Sequence, residues 1–237
     1  MPANPDRVAS MARQQTSGGG GRKPREERWN ELLKVAAKIF ARKGYDATSL
    51  QDIAEELGIL KGSLYYYIKT KDDLLCHLLS SAHKQGLQNI ESIAAGPGNA
   101  IERLAAMIRR HVQYVCTDRD RTAVYLHERK RLSPEQRAQH LGDEHAYRHY
   151  FQAVLADGQA EGLVRQDIDI KLTALCLLSS LNSTYQWYKP SGEFAAVAVG
   201  ETFVTGWLGG ILTAAGAAVS APPTALPRKQ AARASAE

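Results

Sequence analysis

Cysteine is scarce in this sequence. Three residues, Cys76, Cys116 and Cys176, are spread through 237 residues, and none belongs to a Cys-x-x-Cys pair. An odd, dispersed set does not form a disulfide framework and is typical of proteins in a reducing compartment. We therefore expect reduced thiols in a cytoplasmic protein. Each cysteine lies in an apolar helical context, which favours a core thiol over a reactive one.

The sequence also lacks an apolar N-terminal segment of the kind that directs secretion. One stretch without charge, residues 202–227, is long enough to cross a membrane, but it is diluted by Gly, Ala and Thr and contains Pro222-Pro223. Gly206 and Gly210 form a GxxxG motif there, which also brings helices together outside membranes. We expect no membrane helix and no membrane partner.

Motifs of known catalytic sites are missing as well: there is no Gly-x-Ser-x-Gly, no phosphate-binding loop and no dinucleotide fingerprint. His145 and His149 have the spacing of two metal ligands on one helix face, but no His-Glu-x-x-His motif or nearby cysteine completes a set. A polar helix face, or hydrogen-bonding groups in a ligand pocket, explains the spacing better. We expect no enzyme activity, no catalytic residue, no cofactor and no metal site.

Helical periodicity is what the sequence does contain, and no strand pattern persists. Caps, glycines and prolines divide the chain into about nine helices, so the sequence predicts an all-α protein. We expect four parts: a disordered basic arm (1–24), a helix-turn-helix domain (25–71), a ligand-binding and dimerisation domain (72–214) and a flexible tail (215–237). The net charge of +5 permits nucleic-acid binding without requiring it.

The most informative stretch is residues 48–71. Thr48 or Ser49 caps a first short helix, and Gly58 ends it by supplying a left-handed backbone conformation. A second short helix is expected over residues 61–67. Two short helices joined by a glycine-containing turn describe a helix-turn-helix, whose second helix enters the major groove of DNA.

The second helix carries groups that suit DNA. Lys61 can donate to guanine O6 and N7, Gly62 allows close backbone approach, and Ser63 can donate or accept. The tyrosines that follow offer hydroxyl groups to phosphates, and Lys71 adds charge. Basic residues of the N-terminal arm either reach into the minor groove or form a solvated tail. The predicted DNA contacts are Thr48, Ser49, Lys61, Gly62, Ser63, Tyr65, Tyr66 and Lys71.

Residues 48–74 read Thr-Ser-Leu-x-x-Ile-Ala-x-x-Leu-Gly-Ile-x-x-Gly-Ser-Leu-Tyr-Tyr-Tyr-Ile-x-x-Lys-x-x-Leu. This run resembles the DNA-binding signature of the TetR (AcrR-type) transcriptional regulators, and the resemblance extends from about Arg28 to Leu75. It implies a repressor that binds double-stranded DNA at a palindromic operator. It also implies a body that holds a small effector, whose binding favours a conformation with the two heads misplaced.

A single short recognition helix needs a second copy to read a palindrome, so we expect a homodimer. The resemblance implies a four-helix dimer bundle built from the last two helices, the second of which is expected from about Phe194 to Ala214. The alternative is that both helices are core within one subunit. The predicted interface residues are Leu177, Leu181, Phe203, Trp207 and Gly210.

The middle helices are expected to enclose the effector pocket. Aromatic and basic residues mix there, and an apolar pocket with cations at its mouth suits an anionic amphiphile. A looser resemblance, at Arg131-Leu132, Glu161-Gly162 and Trp187-Tyr188-Lys189-Pro190, implies the TetR branch that controls steroid and fatty-acid breakdown and responds to acyl-CoA thioesters. Asn182 and Gln186 replace a Trp and an Arg of the steroid-responsive members, which leaves open a different acyl group or a ligand without CoA. The predicted pocket residues are Met107, Arg110, Tyr114, Tyr125, Arg129, Tyr147, Phe151, Asn182, Gln186 and Trp187.

Two other functions stay open. One is the same fold sensing a drug-like ligand and controlling efflux, although few acidic groups, chiefly Glu128, accompany the pocket candidates. The other is a helical ligand-binding protein that does not bind DNA. Operator binding by variants with Lys61 and Tyr66 replaced by Ala distinguishes these functions from the first.

Overall fold

A computed structural model describes residues 24–220, apart from the side chains of residues 81–85, 137 and 139–141. The predicted basic arm, except Pro24, and the predicted tail beyond residue 220 lie outside this range. Between residues 24 and 220 the chain is helical, with no strand longer than a single bridge between Val164 and Leu212. The all-α class is therefore confirmed. No helix in this range combines the length and the hydrophobicity needed to cross a membrane.

The head contains α1 (Arg25–Lys43), α2 (Leu50–Glu56) and α3 (Lys61–Leu64), and α4 (Lys71–Ala94) leads from it into the body. The body continues with α5 (Ala100–Thr117), α6 (Arg119–Glu128), a 3₁₀ turn (Arg129–Arg131), α7 (Pro134–Ala160), α8 (Ile170–Trp187), α9 (Ala196–Ile211) and α10 (Ala214–Val219). The described range thus holds ten α-helices and a 3₁₀ turn, so the predicted number of about nine is too low.

Side-chain caps start most of the longer helices. Asn99 accepts from the backbone N–H groups of Ile101 and Glu102 at the start of α5. Ser133 accepts from the N–H of Gln136 at the start of α7, where Pro134 occupies the first position. These side chains satisfy N–H groups that the helix itself leaves without partners. Because such caps are local, sequence reasoning places these starts correctly.

The end of α9 differs from the prediction. Leu212 has an extended backbone, so α9 ends at Ile211, and Thr213 caps the separate helix α10. A β-carbon at Gly216 would lie 2.1 Å from the carbonyl oxygen of Leu163, so only glycine permits this close approach. Residues 215–219, expected to begin a flexible tail, instead form a docked helix. That prediction is wrong for these residues.

Two hydrophobic cores are built on shared helices. In α4, Leu74, Leu75, Leu78 and Leu79 belong to the core of the head, whereas Ile90 and Ala94 belong to the core of the body. Val124 of α6 and Leu132, just after the 3₁₀ turn, also pack into the core of the head. A shift of α4 or α6 in the body therefore displaces side chains that the head packs against.

Candidate functional site

A capping box holds α2 in place. The Ser49 side chain accepts from the N–H of Asp52, and the Asp52 carboxylate accepts from the N–H of Ser49. The same carboxylate accepts from Nζ of Lys43 at 2.6 Å, and these hydrogen bonds, that of Lys43 first, hold the pKa of Asp52 well below its usual range. Ser49 is exposed, but its side chain serves this cap.

The turn between α2 and α3 depends on Gly58, whose φ of 65° lies in the left-handed region. The α3 helix is a single turn, shorter than the predicted helix over residues 61–67. After Leu64 the chain tightens, because the N–H of Tyr67 donates to the carbonyl oxygen of Leu64, three residues back. Leu64 and Ile68 are buried in the core of the head, so α3 is fixed to the head from beneath.

The outer side of this segment is exposed. Leu60 is 80% exposed and Tyr66 is 83% exposed. A β-carbon at Gly62 would have no neighbouring atom within 4 Å. We call the exposed residues of this segment, Leu60, Lys61, Gly62, Tyr65 and Tyr66, the reading face. Ser63, also a predicted DNA contact, is half-buried at its edge.

Thr48 and Lys71, both predicted DNA contacts, form hydrogen bonds within the head. Thr48 is buried, and its hydroxyl donates to the carbonyl oxygen of Gly44 at 2.7 Å. Nζ of Lys71 donates to the carbonyl oxygens of Tyr45 and Thr48, both at 2.8 Å, and lies 4.3 Å from the centre of the Tyr45 ring. Both side chains therefore stabilise the loop between α1 and α2, a role that the sequence-based prediction did not assign to them.

The body contains a partly open cavity of about 490 Å³ bounded by α5, α6, α7 and α8. Six of the ten predicted pocket residues line it: Tyr114, Tyr125, Arg129, Tyr147, Asn182 and Gln186. Residues outside these ten also line it, among them His111, Glu144, Arg148 and Tyr185. For His111 a signal existed, since it lies on the apolar face of α5 three residues before Tyr114.

Four predicted pocket residues lie elsewhere. Met107 and Phe151 are fully buried in the core of the body, so they support the cavity wall without facing the cavity. Arg110 is exposed on α5 and does not line the cavity. Trp187, at the end of α8, is 48% exposed and also lies outside. These four residues do not line the cavity, because helical spacing does not show how deep along its axis a helix meets a cavity.

One wall of the cavity is a neutral hydrogen-bonded chain across three helices. Tyr147 Oη lies 2.8 Å from Nδ1 of His111, and Nε2 of His111 lies 3.1 Å from Oδ1 of Asn182. Burial lowers the pKa of His111 to about 4, so the ring is neutral at pH 7. Because Oδ1 of Asn182 only accepts, Nε2 carries the proton and Nδ1 accepts from the Tyr147 hydroxyl.

Another part of the cavity lining carries charge. The Glu144 carboxylate accepts from the Tyr125 hydroxyl and from Nη1 of Arg129, the latter at 2.6 Å. Burial, and then the hydrogen bond to Glu144, raise the pKa of Tyr125, so its phenol stays protonated and donates. Arg148 lines both this cavity and a shallow groove outside it, between α7 and α8, where His145, His149 and Lys171 also lie.

The 3₁₀ turn joins this charged wall to the head. Arg129, its first residue, binds Glu144 in the cavity wall. Arg131, its last, forms an ion pair with Asp46 in the loop between α1 and α2, and its guanidinium lies 5.3 Å from the centre of the Tyr45 ring. Only Lys130 separates the two arginines. A displacement of Arg129 therefore reaches the loop that precedes α2 through the short backbone segment to Arg131 and the ion pair between Arg131 and Asp46.

The predicted dimer residues divide into two groups. Leu177 and Leu181 are buried inside the protomer and do not reach a second copy, because α8 turns these side chains toward the core. Phe203 and Trp207 are half-buried, and Nε1 of Trp207 donates to Oγ of Ser180 at 3.0 Å. Gly210 is exposed. Interface assignments at Leu177 and Leu181 are therefore corrected.

Another surface of α8 and α9 is exposed instead, and we call it the outer face. It comprises Leu172, Leu175 and Cys176 on α8 and Gly206, Gly209 and Gly210 on α9. Leu172 is 58% and Leu175 47% exposed. A β-carbon at any of the three glycines would have no neighbour within 4 Å. Cys176, expected in the core, is exposed, whereas Cys116 is buried.

Two family models match separate parts of the chain. Residues 32–78 match the bacterial regulatory proteins of the tetR family. Residues 97–211 match the tetracyclin repressor-like C-terminal domain. The chain belongs to the TetR family. In this TetR family protein, the interval between the two matches lies within α4 and the turn that follows it, so the helix common to both cores links the two modules.

The relatives of this TetR family regulator include transcriptional regulators matched along most of their length. The HTH-type transcriptional repressor KstR2 of Mycobacterium tuberculosis is 30% identical over 185 residues, which cover 78% of this chain and 92% of the relative. The solved structure of KstR2 from the same organism, a ketosteroid transcriptional regulator, has a TM-score of 0.75 at 29% identity and covers 78% of this chain and 95% of its own.

Two further similarities concern named ligand classes. The fatty acid metabolism regulator protein of Bacillus subtilis is 22% identical over 190 residues, covering 80% of this chain and 98% of the relative. The structure of AibR in complex with isovaleryl coenzyme A and operator DNA has a TM-score of 0.67 at 25% identity, covering 75% of this chain and 96% of its own. The ligands and pathways in these names are those of the two similar proteins.

Proposed function

We propose that this regulator is a homodimeric repressor that binds a palindromic operator and leaves it when an acyl-CoA thioester occupies the cavity of the body. The observation that carries the proposal is the 3₁₀ turn, which joins the cavity wall at Arg129 to the head at Arg131. It connects the head, which carries the exposed reading face, to a partly open cavity within one chain. Such a regulator works beside the chromosome, so we place it in the cytoplasm.

The reading face supports the DNA-binding part. Lys61 is exposed where it can donate to guanine, and the open surface at Gly62 allows close approach of the backbone. Tyr65 and Tyr66 present hydroxyl groups for phosphates. We assign base contacts to Lys61, Gly62 and Ser63, and we assign Ser49 to holding α2 in place, with no required DNA contact.

The outer face supports the dimer. Exposed leucines beside glycines with open space form a surface on which a second copy can pack closely. A two-fold dimer through this face positions two heads for successive major grooves, which lie about 34–36 Å apart on B-DNA. Phe203 and Trp207 stiffen α9 from the inner side of this contact, and Gly210 belongs to the contact itself.

The cavity supports an amphipathic effector. Leucine, valine and aromatic side chains alternate with polar groups along its walls, and Arg129 and Arg148 are its cationic groups. The groove that shares Arg148 is also lined by Lys171, His145, His149 and Asp169, and by Leu172 and Leu175 of the outer face. An acyl group in the cavity with its anionic part beside Arg129 and Arg148 matches the distribution of charge in the cavity. The CoA complex of AibR and the ketosteroid and fatty-acid regulators point to the same class.

Release from DNA requires the effector to bind the conformation with misplaced heads more tightly than the DNA-binding one. A ligand anion that replaces Glu144 as the partner of Arg129 displaces the 3₁₀ turn. Arg131 then transmits the displacement to Asp46 and Tyr45. The loop that these residues occupy leads directly into α2, so the reading face moves with it.

The first experiment tests DNA binding. The full-length protein is used to enrich an operator from a random double-stranded library, and affinity is measured by fluorescence anisotropy at fixed salt. We expect Lys61→Ala to weaken binding about 10- to 100-fold, which corresponds to loss of a good base contact. Lys189→Ala, which removes the same charge from an exposed position after α8, is the matched control. Equal affinities of both variants and the wild type contradict the assignment.

The second experiment tests the effector. Acyl-CoA thioesters from two to sixteen carbons are titrated onto the protein–operator complex, with free CoA and free fatty acids as controls. At least one thioester is expected to release the DNA at a concentration where neither control does. If the operator binds but no thioester releases it, the effector class is wrong and the DNA-binding function stands.

The carboxylate of Glu144 in the cavity wall favours one second candidate, a cationic drug-like effector in a regulator of efflux. This carboxylate is already held by Tyr125 and Arg129, which weakens its attraction for a cation. Glu144→Gln distinguishes the two. A cationic effector loses affinity in this variant, whereas an anionic one gains affinity because Arg129 no longer has a competing carboxylate.

A further inference from the structure

The first residue of the reading face, Leu60, is an exposed leucine. Nine large hydrophobic side chains are exposed in the described range of the chain, and three of them, Leu60, Tyr65 and Tyr66, fall within seven residues. Clustered exposed apolar surface on a folded protein marks a contact site more often than a scattered apolar residue does. The two tyrosines carry hydroxyl groups that suit phosphates, but a leucine has no polar atom to offer.

The local fold does not require leucine at this position. Leu60 precedes α3 with an extended backbone, φ −70° and ψ 139°, which most residues adopt. Its neighbour Ile59 packs against the core of the head, and Leu64 is fully buried there, whereas Leu60 is 80% exposed. The cost of exposing this side chain is therefore not offset by packing within the protomer.

Its position identifies its partner. Leu60 directly precedes Lys61, at the end of the recognition segment that enters the major groove first. Among the base edges in that groove the C5-methyl of thymine is the apolar group, and apolar side chains contact it. We propose that Leu60 is a specificity-determining residue that packs on a thymine methyl group in each half of the operator. The proposal rests on the DNA-binding function proposed above.

The test removes the methyl group from the DNA and the side chain from the protein, separately and together. In the enriched operator, each dT is replaced by dU in both half-sites, one position at a time. Wild-type protein is expected to lose about fourfold in affinity per half-site at one position, because burying one methyl group contributes about 0.8 kcal/mol. Leu60→Ala is expected to bind the dT and dU operators equally at that position.

Two further measurements complete the design. Val219→Ala, which shortens an exposed aliphatic residue on α10, is the matched control and keeps the full response to dU. Enrichment repeated with Leu60→Ala is expected to lose the preference for thymine at the same position while the other positions keep theirs. This result separates a direct contact from a general weakening of the head.

Three outcomes overturn the inference. One is an operator in which no replacement of dT by dU alters wild-type affinity; another is an equal response to dU in the wild type and in Leu60→Ala. The third is a change in oligomeric state of Leu60→Ala without DNA, which assigns the side chain to a protein contact. Failure of the proposed function looks different, because then the wild-type protein enriches no DNA sequence.

Discussion

Replacement of His111 by glutamine tests the buried polar chain of the cavity. The side chain lies between Tyr147 and Asn182, and burial lowers its pKa from 6.5 to about 4. Glutamine keeps one donor and one acceptor but has no group that titrates in this range. Carboxylates elsewhere titrate in both proteins, so a difference in the pH dependence of their stability reports the protonation of the His111 imidazole.

The direction of the pH effect follows from the lowered pKa. Above pH 6.5 the ring is neutral in both the folded and the unfolded protein, so its contribution to stability is fully present. As the pH falls from 6.5 to 4, the unfolded chain takes up a proton that the folded chain does not, and stability is lost. Below pH 4 both states are protonated and the loss stays constant. The gap between 6.5 and about 4 gives a total loss of about 3 kcal/mol.

Urea unfolding at constant protein concentration, from pH 7.5 to pH 4.5, measures this loss. Wild-type stability is expected to fall by about 2–3 kcal/mol more than that of His111→Gln over this range. An NMR titration of the histidine rings is the second measurement, because it observes His111 in the wild type even if the variant folds poorly. A constant difference between the two proteins, or protonation of His111 in the folded protein near pH 6.5, refutes the reasoning.

Three further predictions concern the head and the outer face. Lys71→Met is expected to lower the free energy of unfolding by about 2 kcal/mol, with little change in operator affinity while the protein is folded. If calorimetry shows a folded variant that has lost much of its operator affinity, Lys71 is a DNA contact. Gly58→Ala costs about 1 kcal/mol of stability because of its left-handed backbone. Gly62→Ala, at an open position in a helix, does not lower the thermal unfolding temperature and weakens operator binding; the reverse pattern contradicts both roles. Gly206→Leu is expected to shift the dimer to monomers in sedimentation velocity. Gly142→Leu, which also has open space around it, is the control and is expected to leave the dimer intact. Equal dimerisation of the two variants argues against the outer face as the dimer interface.

Local signals explain why the helix starts and the turn of the head could be predicted. The caps at Ser49, Asn99 and Ser133 and the turn at Gly58 act within three or four residues, so the sequence around them contains the whole interaction. Lys71 is the exception. Its hydrogen bonds reach back more than twenty residues to the carbonyl oxygens of Tyr45 and Thr48. No spacing rule along the chain indicates such a contact.

The cavity and the outer face depended on packing between helices. The middle of α8 is apolar on nearly every side, so its periodicity indicates a buried helix without indicating which side meets a second copy. Packing against α5 and α7 turns Leu177 and Leu181 inward and leaves Leu172 and Leu175 outside. The same rotation brings Asn182 to His111.

The amino-acid sequence alone determined the helical class, the helix starts and the glycine-hinged pair that presents the reading face, because each follows from interactions within one or two helical turns. Only the tertiary structure decided which side chains enclose the cavity and which face outward. A helix can rotate about its axis without changing its own hydrogen bonds, and the neighbours against which it packs set that rotation.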